Sequence, residues 1–340
     1  MSILSALDVP VLVAPMAGGP SSPALVTAAA RAGSLGFLAT GAAPVDTLVG
    51  QLREAGAEGL RYGVNLFTAQ QPFDSLEHVR KLVGELAGEF TSRGLEVPEV
   101  PEVDYSNGFD AKLDAVLAAA RDGHGPAVLS STFGPLTAGE IGRLHEVGVE
   151  AWITVTTPAD ALEAQRRGAD ALVVQGPAAG GHRSTWGVEE IPDERPLAGL
   201  VDAVVSAGVT VPLVAAGGLR TAGDVRAALE LPGVRAVSCG SAFLLADEAG
   251  TSAANRELLV RGGRTVAGRA FSGRVARGLA TGFTRDHPGI GPVYPYLAPL
   301  LAPLRATGDE RYAYCLVGTD VEKLTGGSTA EILAGLWPAA

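Results

Sequence analysis

The chain has 340 residues, 47% of them hydrophobic, and a formal net charge of −11 at pH 7. That length and apolar content suit one large folded unit and exclude an intrinsically disordered chain. The acidic balance, without a run of Lys and Arg, argues against nucleic acid as the main partner, because a phosphodiester backbone would meet net repulsion.

The first sixteen residues, MSILSALDVPVLVAPM, carry no Lys or Arg and place Asp8 and Pro10 inside the apolar part, the opposite of a signal peptide. Short apolar runs closed by Gly or Pro then recur at Val9–Met16, Leu35–Thr40, Arg61–Phe67, Ala127–Phe133, Ala151–Val155, Ala171–Gln175, Pro212–Gly217 and Ala236–Leu244. Each has the length of a strand, and near-continuous apolarity suits strands buried on both faces. Between them, Ala-rich stretches with helical spacing occupy Pro23–Ala32, Val45–Ala55, Asp110–Arg121, Ala138–Val147, Pro158–Arg167, Leu197–Ala207 and Ala222–Leu231. Start and stop signals bracket several of them, as with Thr157-Pro158 and Gly168, or Thr221 and Gly233. Leu200–Leu219 is apolar enough for a membrane span, but Asp202, Gly208, Pro212 and Gly217–Gly218 divide it into helix, turn and strand.

Eight strands alternating with helices predict a parallel (β/α)8 barrel. The first strand lacks the G-x-G-x-x-G that an open dinucleotide-binding sheet would place after it. Two regions exceed the repeat. Residues 68–110 insert a charged helical stretch, Leu76–Phe90, and the Pro- and Glu-rich EVPEVPEVDYSNG after the third strand. Residues 246–340 form a C-terminal extension with Gly- and Arg-rich turns, the Pro-rich 288–303 and a last helix near Thr329–Trp337. Both are expected at the active-site rim of a single domain, since long loops inside barrels belong there.

Barrel chemistry sits on loops after the carboxyl ends of strands. Here those loops are rich in glycine: 14–20 after the first strand, 175–183 after the sixth, 215–219 after the seventh and 239–243 at the eighth. Gly217–Gly218 and Gly240–Ser241 are placed to offer backbone N–H groups to a phosphate, the alternative being tight turns. His182, behind Gly180–Gly181, is the histidine best placed for proton transfer, against the alternative of a surface residue on a flexible loop. Asn65 and Gln175, ending the third and sixth strands, can bond the polar edge of a flat heterocycle or simply cap a turn. No H-x-H or H-E-x-x-H pattern supports a metal site. Cysteine is limited to Cys239 and Cys315, which favours a reducing, cytoplasmic setting.

Together, APMAGG (14–19), YGVNLF (62–67), STFGP (131–135), AGGHR (179–183), AAGGL (215–219), GSAFLL (240–245), EAGTS (248–252) and FSGRVARG (271–278) resemble class I nitronate monooxygenases. These are FMN-dependent barrels that convert nitronates to a carbonyl compound and nitrite with O2. The resemblance implies that Met16, Asn65, Gln175, Gly180, Gly217, Gly218, Ser238, Cys239, Gly240 and Ser241 surround FMN. It implies that His182 is the active-site histidine, with Tyr294 over the site and Tyr105 a second rim aromatic. The chain departs from the family pattern at Ala178, usually acidic, and at Ser184, usually glycine. A rival resemblance is to the FMN- and NAD(P)H-dependent enoyl-acyl carrier reductases. A flavin-free lyase would need a Schiff-base lysine, and Lys81, Lys112 and Lys323 all lie off the assigned strands.

Overall fold

In a computed structural model, which describes residues 2–338, eight parallel strands form one sheet around a central axis. They are β1 (Val11–Val13), β2 (Phe37–Ala39), β3 (Gly63–Phe67), β4 (Val128–Thr132), β5 (Glu150–Val155), β6 (Ala171–Gln175), β8 (Leu213–Ala216) and β9 (Val234–Cys239), where β7 (Gly181–His182) belongs to a separate sheet. The hydrogen-bonded order β1-β9-β8-β6-β5-β4-β3-β2 closes through a parallel bridge between Val13 and Gly36, where Val13 N–H donates to Leu35 at 3.0 Å. The chain is a (β/α)8 barrel.

The expected and observed elements differ mainly at their ends. Helix α6 (Pro158–Arg167) starts where Thr157 accepts from the Asp160 N–H and stops at Gly168, φ 99°. Helix α8 (Ala222–Leu229) begins in a reciprocal Thr221–Asp224 capping box but ends before the expected Gly233, which instead turns the chain into β9 with φ 76°. The last strand stops at Cys239 rather than Leu244, because Gly240 bends the backbone and Ser241–Phe243 form a 3-10 turn.

Side-chain size along the barrel axis creates the cavity. Near the amino ends, Leu12, Phe37, Val128, Trp152, Ala171, Val214 and Ala236 fill the interior, sealed below by Leu4. Gly63 makes room for the Phe37 ring: a Cβ there would lie 2.3 Å from it. Two residues further along each strand, the inward positions are small or polar: Ala39, Asn65, Ser130, Thr154, Val173, Ala216 and Ser238. Strand periodicity directs the alternate residues outward against the helices. The barrel is thus solid at one end and hollow at the other.

The insertion and the extension share a second hydrophobic core. Helix α3 (Glu77–Thr91) supplies Val79, Leu82, Leu86 and Phe90, and the tail supplies Phe283, Tyr296, Leu300 and Tyr312. The tail also forms an antiparallel hairpin, β10 (Thr265–Gly268) and β11 (Ala276–Leu279), and β11 pairs with β7. No described helix is long and apolar enough to cross a membrane.

Candidate active site

A cavity of about 460 Å3 opens at the hollow end of the barrel, within the range of roughly 300–1,000 Å3 usual for small-ligand sites. Met16, Asn65, Gln175, Gly180, Gly217, Gly218, Ser238, Gly240 and Ser241 all contribute to its wall, and so does His182. They come from the ends of five barrel strands that the sequence separates widely.

His182 is not on a flexible loop. It lies in β7, where Ala276 pairs with it and Arg277 with Gly181, so the extension clamps the histidine segment. Its Nε2 is 2.7 Å from the Ser272 hydroxyl, and its ring meets Phe133 and Tyr294 edge-on at centroid distances of 5.4 and 5.9 Å. Burial, and then the nearby Arg274 cation, push its pKa down to about 3, which leaves the ring neutral near pH 7.

Arg274 is fully buried and stacks 4.2 Å from the Phe133 centroid and 5.2 Å from that of Tyr294. Its guanidinium donates to the Thr185 carbonyl at 2.6 Å and to Gln70 Oε1, and to no carboxylate among the described residues. Phe133 beneath it has φ 73°, a strained value for a bulky side chain, and is held there by an N–H bond to Ser184 Oγ at 3.0 Å. Ser184 thus has a bonding role that glycine at this position could not fill.

Gly217 and Gly218 have φ of 107° and 80° at the carboxyl end of β8. Only glycine adopts such values readily, and a Cβ on Gly217 would also crowd the Ala179 N–H at 3.0 Å. Arg220, two residues on, is 8% exposed and lines the same cavity. Its Nη1 donates to the Leu219 carbonyl, but Nε and Nη2 are buried without a hydrogen-bond partner. Thr40 and Thr251 Oγ1, also in the wall, are unpartnered as well. A buried, unpaired guanidinium costs several kcal/mol unless an anion meets it. The donor set therefore fits a phosphate: the Gly217–Gly218 turn, the Gly240–Ser241 region and one guanidinium with two unpartnered nitrogens.

Asn65 and Gln175 line the cavity but already have internal partners. Asn65 Nδ2 donates to Ser130 Oγ at 2.9 Å and Thr132 Oγ1 at 3.0 Å. Gln175 Nε2 donates to the His182 carbonyl at 2.9 Å, and its Oε1 accepts from Ser184 N–H at 2.9 Å, which ties down the 176–184 loop. Ser241 Oγ likewise accepts from Gly318 N–H at 2.9 Å.

Three expected residues sit elsewhere. Cys239 does not reach the cavity: with Ser238 inward in β9, strand alternation turns Cys239 into the layer between strands and helices. Tyr294 stands behind His182 rather than in the cavity wall. Tyr105 belongs to the second core, where its hydroxyl is 2.9 Å from that of Tyr296. Residues that sequence reasoning did not assign to the site include Arg220, Thr251 and Tyr314 in the wall, while Lys112, weighed only as a Schiff-base lysine, lies outside it. Lys112 Nζ, buried on α4 (Phe109–Arg121), donates to the Gly41 carbonyl at 2.7 Å and so supports the loop after β2. Arg220 has a retrospective signal, its position just past a strand-end glycine pair; the others have none. No group of three or more His, Cys, Asp or Glu that could hold a metal occurs among the described residues.

A barrel with a neutral histidine and a phosphate-type cradle in one cavity defines a class of enzyme sites for small phosphorylated ligands or cofactors. The family model "Nitronate monooxygenase" matches residues 2–311. A nitronate monooxygenase of Pseudomonas aeruginosa is 34% identical over 302 residues, covering 86% of this chain and 84% of that protein. One of Paraburkholderia phytofirmans is 30% identical over 285 residues, covering 83% and 76%. A solved nitroalkane oxidase of Streptomyces ansochromogenes superposes with a TM-score of 0.88 at 32% identity, covering 98% of this chain and 96% of its own. FabK of Thermotoga maritima shares the fold, with a TM-score of 0.72 at 23% identity, covering 98% and 93%. The chain belongs to the nitronate monooxygenase family.

Proposed function

We propose that the protein is an FMN-dependent nitronate monooxygenase that oxidises alkyl nitronates, such as propionate-3-nitronate, with O2 to a carbonyl compound and nitrite. The observation that carries this reading is the unpartnered Arg220 guanidinium beside Gly217–Gly218, in the same cavity as His182. When bound, FMN supplies the electron-accepting chemistry. The Gly217, Gly218 and Ser241 region would hold its phosphate, with Arg220 as counter-charge. Met16, Asn65, Gln175, Gly180 and Ser238 would bound the ring system.

The protein's own share of the reaction is orientation and electrostatics. His182 is neutral, so it can share one hydrogen bond with a nitro group; with its pKa depressed it takes a proton from a neutral nitroalkane only where the bound substrate raises that pKa. Ser272 holds its Nε2, and the Phe133–Tyr294 pair fixes its ring plane. The uncompensated Arg274 charge nearby favours an anionic nitronate over its neutral conjugate acid. The extension, and through Gln70 the insertion, form the rim, supported by the Arg274 bond to Gln70 and the Tyr294 contact with His182. Two free, buried thiols accord with a reducing cytoplasm.

An absorbance spectrum of the purified protein, repeated without oxygen after adding propionate-3-nitronate, tests the reading. Loss of an oxidised-flavin band with nitronate alone is the expected result. A band that only NADH or NADPH removes would instead make the protein a reductase, and a protein that takes up no FMN would defeat both.

A further inference from the structure

Outside the site, the C-terminal extension forms a second, partly open cavity of about 550 Å3, large enough for a nucleotide-sized molecule. Four arginines line it: Arg261, Arg264, Arg269 and Arg285. The one carboxylate in its wall is Glu310, and both its oxygens are taken by Arg261, at 2.7 and 2.9 Å. Arg264 and Arg285 form no ion pair among the described residues. Arg269 is held in place by Nη2 bonds of 3.2–3.3 Å to the carbonyls of Val188, Glu189 and Glu190, while its Nε is buried without a partner. This local excess of positive charge occurs in a chain of net charge −11.

Much of the rest of the wall is apolar, with Leu258, Val266, Phe271 and Leu279, and Thr281 and Thr284 add hydroxyl groups. Arg264 and Arg285, exposed and without an ion pair beside an apolar surface, suit a ligand with a multiply charged phosphate head and an aromatic or aliphatic body. We infer that this cavity is a second ligand site, for a phosphorylated small molecule of about nucleotide size. It shares its wall with the hairpin that clamps the histidine. Phe271 lines it, and the next residue, Ser272, bonds His182, while Leu279 ends the strand that pairs with β7.

Titration calorimetry on FMN-saturated, full-length protein tests the inference, with adenosine 5′-diphosphate, inorganic pyrophosphate and adenosine as probes. The diphosphate is expected to bind at one site, pyrophosphate more weakly, and adenosine not at all. The double variant Arg264→Gln/Arg285→Gln is expected to weaken diphosphate binding at least tenfold while keeping the parent's melting temperature and flavin content. Failure of both anions to bind at millimolar concentration would overturn the inference, as would unchanged binding in the double variant. Because flavin content is read separately, neither result depends on the reading of the barrel site.

Discussion

Replacing Arg220 by Gln tests the proposed phosphate contact apart from contacts to the flavin ring. The guanidinium lies in the cavity wall with Nε and Nη2 unpartnered, and no carboxylate within ion-pair distance neutralises it among the described residues. Burial lowers its pKa, the sign of a cation short of compensation. A charge-assisted hydrogen bond to a buried phosphate contributes about 1.5–3 kcal/mol, or roughly 10- to 150-fold in Kd at about 1.4 kcal/mol per decade. Flavin fluorescence titrations of the apoprotein should therefore show FMN binding weakened about 10- to 150-fold in Arg220→Gln. Riboflavin, which lacks the phosphate, should bind parent and variant within about twofold, since no lost contact reaches it. The flavin-free variant should melt no lower than the parent, because the change removes a buried, unpaired charge. Equal losses for FMN and riboflavin would refute the assignment, since they would point to a collapsed cavity rather than a lost phosphate contact.

The depressed pKa of His182, about 3 against an ordinary 6.5, has a definite sign for stability. The folded state favours the neutral ring, so this contribution is complete above pH 6.5 and is lost as the pH falls towards 3, by at most about 1.4 kcal/mol per pH unit. An NMR titration placing the His182 pKa above 5 would overturn this. Gly180→Ala would put a Cβ 2.4 Å from the Gly318 nitrogen and 2.6 Å from the Val317 carbonyl carbon. It should cost about 1–3 kcal/mol in urea unfolding and reduce flavin retention on gel filtration, because backbone cannot move aside as a side chain can. Glu89 is expected to hold the second core together: it accepts from Arg311 Nη2 at 2.6 Å and from the Tyr312 hydroxyl, and lies 2.8 Å from His287 Nε2. Arg311 first, against the opposing effect of burial, brings its pKa down to about 2, so its contribution is present above pH 4.5 and is lost as the pH falls towards 2. Glu89→Gln should lower stability at pH 7 by about 1–3 kcal/mol and flatten that acid loss, as read by thermal unfolding between pH 2 and 7.

The barrel was legible in the chain because each of its units is local. A Val- and Leu-rich strand, a capped helix and a Gly stop can each be read within about a dozen residues. Helix α6 and strand β6 run over the very residues their signals mark. Glycines at strand ends likewise announced where the cavity would open, since positive φ and close approach are properties of single positions. The tertiary structure alone decided what charge and neighbours each group would have. Cys239 lost its place in the site to strand alternation, and Tyr105 went to a core assembled from segments about 200 residues apart in the chain. The two-residue strand carrying His182 forms only because β11, some ninety positions later, lies beside it. Neither the neutrality of that histidine nor the unpaired charges of Arg220 and Arg274 can be read from residue types. Burial and missing partners produce them, and both depend on contacts between residues remote in sequence.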